Sequence, residues 1–394
     1  MSRDACRHAT GLLILQPTPF CNISCDYCYL PHRNDRRVMP IDTVRAAVDF
    51  VLREDLNAPD MTVVWHAGEP LVVAADWYRE AFRVVDQMSP AVGRLPHAIQ
   101  TNGMLITEEW CDLFLEFGVR IGVSLDGPAS LHDARRKTRS GAPTHARVMR
   151  GIDMLQKRNV PFHVICVVGA ASLPRAGELI DFFRLSGVTD VGFNIEEIEQ
   201  SGGRSTLQRA GCERAFRGFL AEAVAAACEA TPPVVIREQQ ELMACLEHPA
   251  FGRMSGNSQN APFGIITVSV AGELFTFSPE LAGLTHRDYD TFAIGRLPDA
   301  TLDAILAGEP FRRMWTDIEA GIRQCRGSCD YFDLCLGGAP VNKLFENGFF
   351  ASGETMFCRL AHKAVSDVVL ADLERRLKAP VPAKELMTSD FKVI

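Results

Sequence analysis

Between residue 11 and about residue 230, short apolar runs alternate six times with amphipathic stretches. The runs at Leu12–Gln16, Met61–Trp65, His97–Thr101, Arg120–Leu125, Phe162–Val168 and Val188–Asn194 have strand length and strand composition. The stretches Ile41–Arg53, Asp76–Gln87, Thr107–Phe117, His145–Arg158, Leu173–Leu185 and Ala210–Glu229 carry helical periodicity. In the first of these, Ile41, Val44, Val48 and Val51 recur at three- and four-residue steps. Six strand-then-helix units predict a parallel sheet with helices packed outside it. Right-handed crossovers curl six such strands into an incomplete barrel, whose chemistry gathers at the C-terminal strand ends.

Motifs fall at those ends. A loop with Cys21, Cys25 and Cys28 follows the first strand, WHAGEPL (65–71) ends the second and QTNG (100–103) the third. SLDGP (124–128) ends the fourth, and FNIEE (193–197) ends the sixth. The cysteine spacing is C-x-x-x-C-x-x-C, with Tyr27 directly before the last thiol. Three thiolates can hold three corners of a cubane iron–sulfur cluster and leave one iron for a ligand. A structural zinc site takes four ligands, and the nearest further candidates are His32 and the distant Cys111. Spacing alone leaves both readings open.

Composition narrows the class. The 394 residues allow two domains or a barrel with an appendage. A hydrophobic fraction of 47% with 23% charged residues is that of a soluble globular chain. No apolar run approaches the roughly 18 residues of a membrane span. The N-terminus lacks signal-peptide order, so a cytoplasmic location is expected. A net charge of −8 argues against nucleic-acid binding, and the basic run Arg135, Arg136, Lys137 and Arg139 reads as a solvated loop or an anion contact. Thirteen cysteines without an export signal point to metal or redox chemistry in a reducing compartment. Cys111, Cys166 and Cys228 lie in apolar patterns and are expected in the core.

Beyond Glu229, TPPVVI marks a boundary, and residues 231–258 read as a bridge. A β-hairpin at 266–278 opens a second block, 259–370, and residues 371–394 read as a tail, loosely held from about 379. The second block contains Cys325, Cys329, Cys335 and Cys358, a closed four-thiol site that suits a cluster or tetrahedral zinc.

With the GEP and SxDGP segments at their strand ends, the cysteine loop resembles the signature of the radical S-adenosylmethionine (SAM) enzymes. The resemblance implies a partial (β/α)6 TIM barrel in which Cys21, Cys25 and Cys28 hold a [4Fe-4S] cluster whose free iron is chelated by SAM. It assigns Gly68, Glu69 and Pro70 to the SAM amino group, and Ser124 and Asp126 to its ribose or carboxylate. Arg136 becomes a candidate partner of the SAM carboxylate, and Tyr27 offers its backbone to the adenine. The C-terminal cysteines resemble a SPASM-type auxiliary-cluster domain, implying that Cys325, Cys329, Cys335 and Cys358 hold an auxiliary [4Fe-4S] cluster. The full seven-cysteine pattern is not met. Ala339 stands where a further cysteine belongs, and Phe277 and Ser278 stand where a Cys-Asp pair often does. One auxiliary cluster is therefore expected, not two.

WHAGEPL, SLDGPxxxHDxxRKTRxG and the string CxxxCxYFxLCxGG…NKxxENGxFxSxET…C together resemble the GrrM-type cyclophane-forming peptide maturases over residues 12–370. That resemblance implies joining of an aromatic side chain to a Cβ in a ribosomal precursor peptide. It also implies an electron donor such as flavodoxin or ferredoxin, and no nucleic-acid or membrane partner. Side-chain dehydrogenation in the manner of sulfatase maturases shares every SAM motif and is the alternative. For the base, Glu280 is the candidate, with Glu196 and Glu197 as rivals. With 20 residues before Cys21, no N-terminal leader-binding winged helix is expected.

Overall fold

A computed structural model describes residues 1–89, 93–199, 203–254 and 256–378. The described strands, in chain order, are β1 (Thr10–Leu15), β2 (Ile23–Cys25), β3 (Asn57–Trp65), β4 (His97–Thr101), β5 (Arg120–Ser124) and β6 (Arg136–Thr138). They continue with β7 (Phe162–Val168), β8 (Asp190–Ile195), β9 (Val235–Ile236), β10 (Ile265–Val268), β11 (Glu273–Thr276) and β12 (Gly295–Arg296). The helices of the first half are α1 (Ile41–Arg53), α2 (Ala75–Met88), α3 (Glu108–Phe117), α4 (Ala129–Arg135), α5 (His145–Lys157), α6 (Ala176–Leu185) and α7 (Cys212–Glu229). Those of the second are α8 (Arg237–Glu247), α9 (Leu302–Ala307), α10 (Glu309–Ser328), α11 (Phe332–Cys335), α12 (Pro340–Asn347) and α13 (Val365–Lys378).

All six expected strand-and-helix units are present, as β1, β3, β4, β5, β7 and β8 with their helices. Periodicity carries this far because each helix buries one stripe. In α1 that stripe includes Val44, Ala47, Val48 and Val51. Local stops are equally physical. Thr107 caps α3 by accepting from Trp110 N, and Gly118 ends it in the left-handed conformation at φ +64°. Between β3, β4 and α2, Trp65 packs edge-on against Tyr78 and Phe82 at 5.6 and 5.5 Å, all three fully buried. Truncating such an aromatic to alanine typically costs about 3–5 kcal/mol.

The second block is less separate than the sequence suggests. The sheet runs β12-β11-β10-β1-β3-β4-β5-β7-β8-β9, and β10 pairs in parallel with β1, Leu13 opposite Ile266. The hairpin β10–β11 therefore extends the barrel sheet, and the expected boundary at 259 runs through continuous hydrogen bonding. Within the expected bridge, β9 adds to β8 and α8 follows at once. Residues 371–378 continue α13, which packs on α7 and α8, so this part of the expected tail is helical. Residues 379–394 lie outside the described residues. Cys111 and Cys166 are fully buried as expected, but Cys228 is exposed. It lies one position past Ala227, the last buried residue of α7, and its sulfur accepts from Arg376 Nη2 at 2.8 Å. No described helix is long and apolar enough to cross a membrane.

Candidate active site

The cysteine loop is built from both sides. Ile23–Cys25 forms a small antiparallel ribbon with Arg136–Thr138, in which Cys25 stands opposite Arg136. The basic run is thus no solvated loop. Arg139 Nη1 donates to the Cys21 carbonyl at 3.0 Å and to the Arg33 carbonyl at 3.1 Å. Arg135 pairs with Asp26 at 2.9 Å and lies 4.6 Å above the Tyr27 ring. Three arginines from one segment clamp the loop that presents the thiols.

Cys21 and Cys25 are buried, Cys28 is half-buried, and Tyr27 and Met104 pack against them. Burial pushes the Cys21 thiol up to about 12 and Cys25 up to about 11, with Arg136 opposing the shift at Cys25. Cys25 and Cys28 both add to the rise at Cys21, and Cys28 adds to that at Cys25. Among the described residues, no three His, Cys, Asp or Glu side chains converge as one bound metal ion requires. A cubane spreads its thiolates over separate irons, so the donor set fits a cluster better than mononuclear zinc.

Gly68 and Glu69 hold the loop from below. Gly68 sits at φ +62°, and a Cβ there would meet the carbonyl oxygens of Thr18 and Phe20 at 2.4 and 2.5 Å. The close approach that requires glycine is thus to the chain's own backbone, ahead of any ligand. Glu69 is buried and accepts from Thr101 Oγ1 (2.6 Å), Leu71 N (3.0 Å) and Asn102 N (2.8 Å). Burial raises its pKa against those three donors. Asn102 Nδ2 in turn donates to Asn22 Oδ1 at 2.7 Å, tying QTNG and GEP to the cysteine loop. Pro70 opens a short helical turn that Glu69 caps.

Three expected cofactor contacts are engaged within the protein. Arg136 Nη1 donates to the Tyr27 hydroxyl at 2.6 Å, which donates to Asp126 Oδ2 at 2.7 Å. Asp126 Oδ1 accepts from Val167 N at 3.1 Å. The Tyr27 phenol thus ties the cysteine loop after β2 to the segment after β5. Arg136 is buried, and its Nε is left without a hydrogen-bond partner. Ser124 Oγ accepts from Gln100 Nε2 at 3.0 Å and stays half-buried at the strand end.

The candidate bases separate sharply. Glu196 pairs with Arg135 and accepts from Thr206 N at 2.9 Å, so it is a structural ion-pair partner. Of the three candidates it is the one held by an arginine. Glu197 and Glu280 line a cavity of about 540 Å³ that also reaches Cys335 and His362 of the C-terminal region. Burial and the nearby Glu280 push Glu197 up to about 8, while Asn342 Nδ2 donates to it at 2.6 Å. Burial also raises Glu280, which accepts from Ser278 Oγ. Glu199, missed in the sequence, joins them. Burial together with Glu197 and Glu280 raises it to about 9, and its Oε2 has no partner. All three surround Tyr29, the residue after Cys28, whose hydroxyl lies 3.1 Å from His66 Nε2. The signal was E-x-E continuing from the end of β8, legible only as two further charges.

Cys325, Cys329, Cys335 and Cys358 line one pocket of about 110 Å³. The cysteines come from α10, the loop after it, α11 and a π-helical turn at Cys358–Ala364. Gly337 and Gly338, both at positive φ, turn their N–H groups toward the Cys335 sulfur. Four thiols around one small pocket fit a closed cluster. Behind the hairpin, where a second auxiliary group would need ligands, Phe277 stacks with Phe311 and Trp315 at 6.4 and 6.2 Å, and Ala339 is buried.

Comparison with known proteins agrees with this geometry. Residues 15–183 match the model of the radical SAM superfamily. An uncharacterised protein of Synechocystis is 38% identical over 374 residues, covering 93% of both chains. A serine-type anaerobic sulfatase-maturating enzyme of Bacteroides thetaiotaomicron is 34% identical over 171 residues, 42% of this chain and 41% of that enzyme. Among solved structures, anSMEcpe with bound AdoMet and Cp18Cys peptide superposes with a TM-score of 0.75 at 19% identity, covering 93% of this chain and 98% of that one. The fold is that of a radical SAM barrel continued by a C-terminal domain, and the chain is a radical SAM enzyme whose cofactors are a [4Fe-4S] cluster and SAM.

Proposed function

We propose that this enzyme matures a ribosomal precursor peptide by joining an aromatic side chain to the Cβ of a nearby residue, closing a cyclophane. In this reading Cys21, Cys25 and Cys28 hold the SAM cluster, and Cys325, Cys329, Cys335 and Cys358 hold one auxiliary cluster. The SAM cluster, reduced by a donor such as flavodoxin or ferredoxin, supplies a 5′-deoxyadenosyl radical from bound SAM. Cross-linking removes two hydrogen atoms from the peptide in all. One leaves the Cβ for the deoxyadenosyl radical, and the other leaves the ring as a proton and an electron.

The observation that carries the reading is the Glu197–Glu280 cavity, which spans the space between the barrel and the four-thiol pocket. Glu197, pushed up to about 8 by burial, lies within it, and Cys335 lines its edge. Proton transfer is efficient when the base titrates near the working pH, and Glu197 does. The nearby Glu280 adds to the burial that raises Glu197. Arg136 and Tyr27 act as positioning residues for the cysteine loop, and Gly68, Glu69 and Pro70 as its floor. Ser124, half-buried at the end of β5, is the contact assigned to SAM.

Sulfatase-maturase-like dehydrogenation is the second reading, favoured by the partial sequence match to those enzymes. Both products are two mass units lighter than the substrate. Co-expression with a small open reading frame beside the gene, followed by tandem mass spectrometry, separates them. A linked residue pair that resists backbone fragmentation supports the cross-link. Loss of two mass units confined to one residue overturns it.

A further inference from the structure

Helix α12 carries two adjacent residues that reach opposite sites. Asn342 Nδ2 donates to the Glu197 carboxylate at 2.6 Å, and Lys343 Nζ lies 3.4 Å from Cys325 Sγ and 3.1 Å from the Gly321 carbonyl. Lys343 is only 5% exposed, and no ion pair involves it among the described residues. Glu354, which lines the pocket, and Glu346 of α12 are engaged elsewhere. Glu354 pairs with Arg359 and Lys363, and Glu346 accepts from the backbone N–H groups of Met356 and Phe357. A buried ammonium is costly unless an anion compensates it. The group it faces is a cysteine sulfur in the four-thiol pocket, which it lines itself.

The approach is built into the backbone. At Gly321 a Cβ would meet the Phe350 carbonyl at 2.4 Å and lie 3.2 Å from Lys343 Nζ, so glycine keeps the lysine's path open. Asn347 holds the returning loop by donating to Ser352 Oγ and the Glu354 carbonyl at 3.0 and 3.1 Å, and Gly348 ends α12 at φ +85°. Each polar position of NKLFENG thus has a partner, and those of the lysine are the Gly321 carbonyl and the Cys325 sulfur.

We propose that Lys343 is a positioning residue that compensates the charge of the auxiliary site and raises its reduction potential. An ammonium beside a ligand sulfur stabilises the more negative, reduced state of a cluster. This inference rests on the auxiliary-cluster reading above. It would give that site a direction: a cluster held there would supply an acceptor for the one electron released as the ring regains aromaticity, while Glu197 or Glu280 takes the proton. One helix then holds the electron acceptor through Lys343 and the proton acceptor through Asn342.

The test isolates the auxiliary site in a chain carrying Cys21→Ala, Cys25→Ala and Cys28→Ala, reconstituted anaerobically with iron and sulfide. A potentiometric titration followed by electron paramagnetic resonance then compares Lys343, Lys343→Met, Lys343→Gln and Lys343→Arg. Methionine keeps the bulk, and glutamine keeps a donor without charge. The expected result is a fall in potential for both neutral variants of at least a tenfold change in the reduction equilibrium, about 59 mV for one electron. Arginine restores most of it. An unchanged potential in either neutral variant with iron retained overturns the role of Lys343 and leaves the auxiliary cluster standing. Zinc in place of iron, or no metal, in the triple-alanine chain overturns the auxiliary-cluster reading and the inference with it.

Discussion

The two thiol sites solve opposite problems with the same residue type. At the barrel site, three cysteines sit on one seven-residue spacing and are clamped by arginines that touch backbone and aromatic rings. At the C-terminal site, four cysteines arrive from four places in the chain, and Lys343, one of two lysines lining the pocket, touches a sulfur. An open site needs its loop rigid and its remaining ligand position free, so its charges hold the frame. Where four thiols fill every ligand position, as proposed for the second site, a charge placed against a ligand would tune its electronics. Local spacing suffices for the first; the second needs a domain to assemble it.

The sharpest break in this comparison is ligand removal. Cys25→Ala is expected to lower deoxyadenosine formation to background, whereas Cys329→Ala leaves SAM cleavage running and abolishes the peptide product. Iron should fall by about half in each, if both sites hold cubanes. Equal loss of SAM cleavage in the two variants would show that the sites are not functionally distinct.

Next in size is Glu197→Gln, expected to lower cross-link formation by about a hundredfold while deoxyadenosine is still produced. Because Glu197 must be ionised to accept a proton, wild-type cross-linking should climb as pH rises through about 8, and the glutamine variant should lose that limb. The same shift is a stability statement. Its folded value lies above the ordinary 4.5, so its contribution is full below 4.5 and is lost as pH rises through about 8. At pH 9 the glutamine variant should therefore be more stable than wild type, by on the order of 1 kcal/mol after allowance for partial exposure. Parallel melting curves across pH would refute the assignment.

Gly68→Ala tests the floor of the barrel site alone. Strain at positive φ and the clash with Thr18 and Phe20 should cost about 1–3 kcal/mol. Iron retention should drop at the barrel site and stay intact at the other, read by the spectroscopic signature of each. Smallest is Cys228→Ser, a surface thiol expected to change stability by less than about 0.5 kcal/mol and iron content not at all. A measurable iron loss would mean that a thiol outside both sites takes part.

Much of this was legible in advance. The six strand–helix units could be read because each must bury a stripe or a face, and burial imposes a period on the chain. Cys21, Cys25 and Cys28 could be read because a short loop brings them together whatever surrounds it. Arg135, Arg136 and Arg139 could not, since a basic run looks the same in solvent and against a carbonyl. Glu196, Glu197 and Glu199 were indistinguishable as letters. Only the strand end shows that the first meets Arg135 while the other two meet each other. The hairpin was seen, but its parallel partner β1 lies some 250 residues away in the chain, beyond any local pattern.

Sequence by itself determined the alternation that makes the barrel, the number of thiols and the short spacing that brings three of them together. These follow from local periodicity and short-range geometry, which residues carry with them. Tertiary structure decided what every charge does: which arginines hold backbone, which glutamates keep their protons, and which lysine faces a sulfur. Those outcomes depend on desolvation and on partners distant in the chain, and neither exists until the chain has closed on itself.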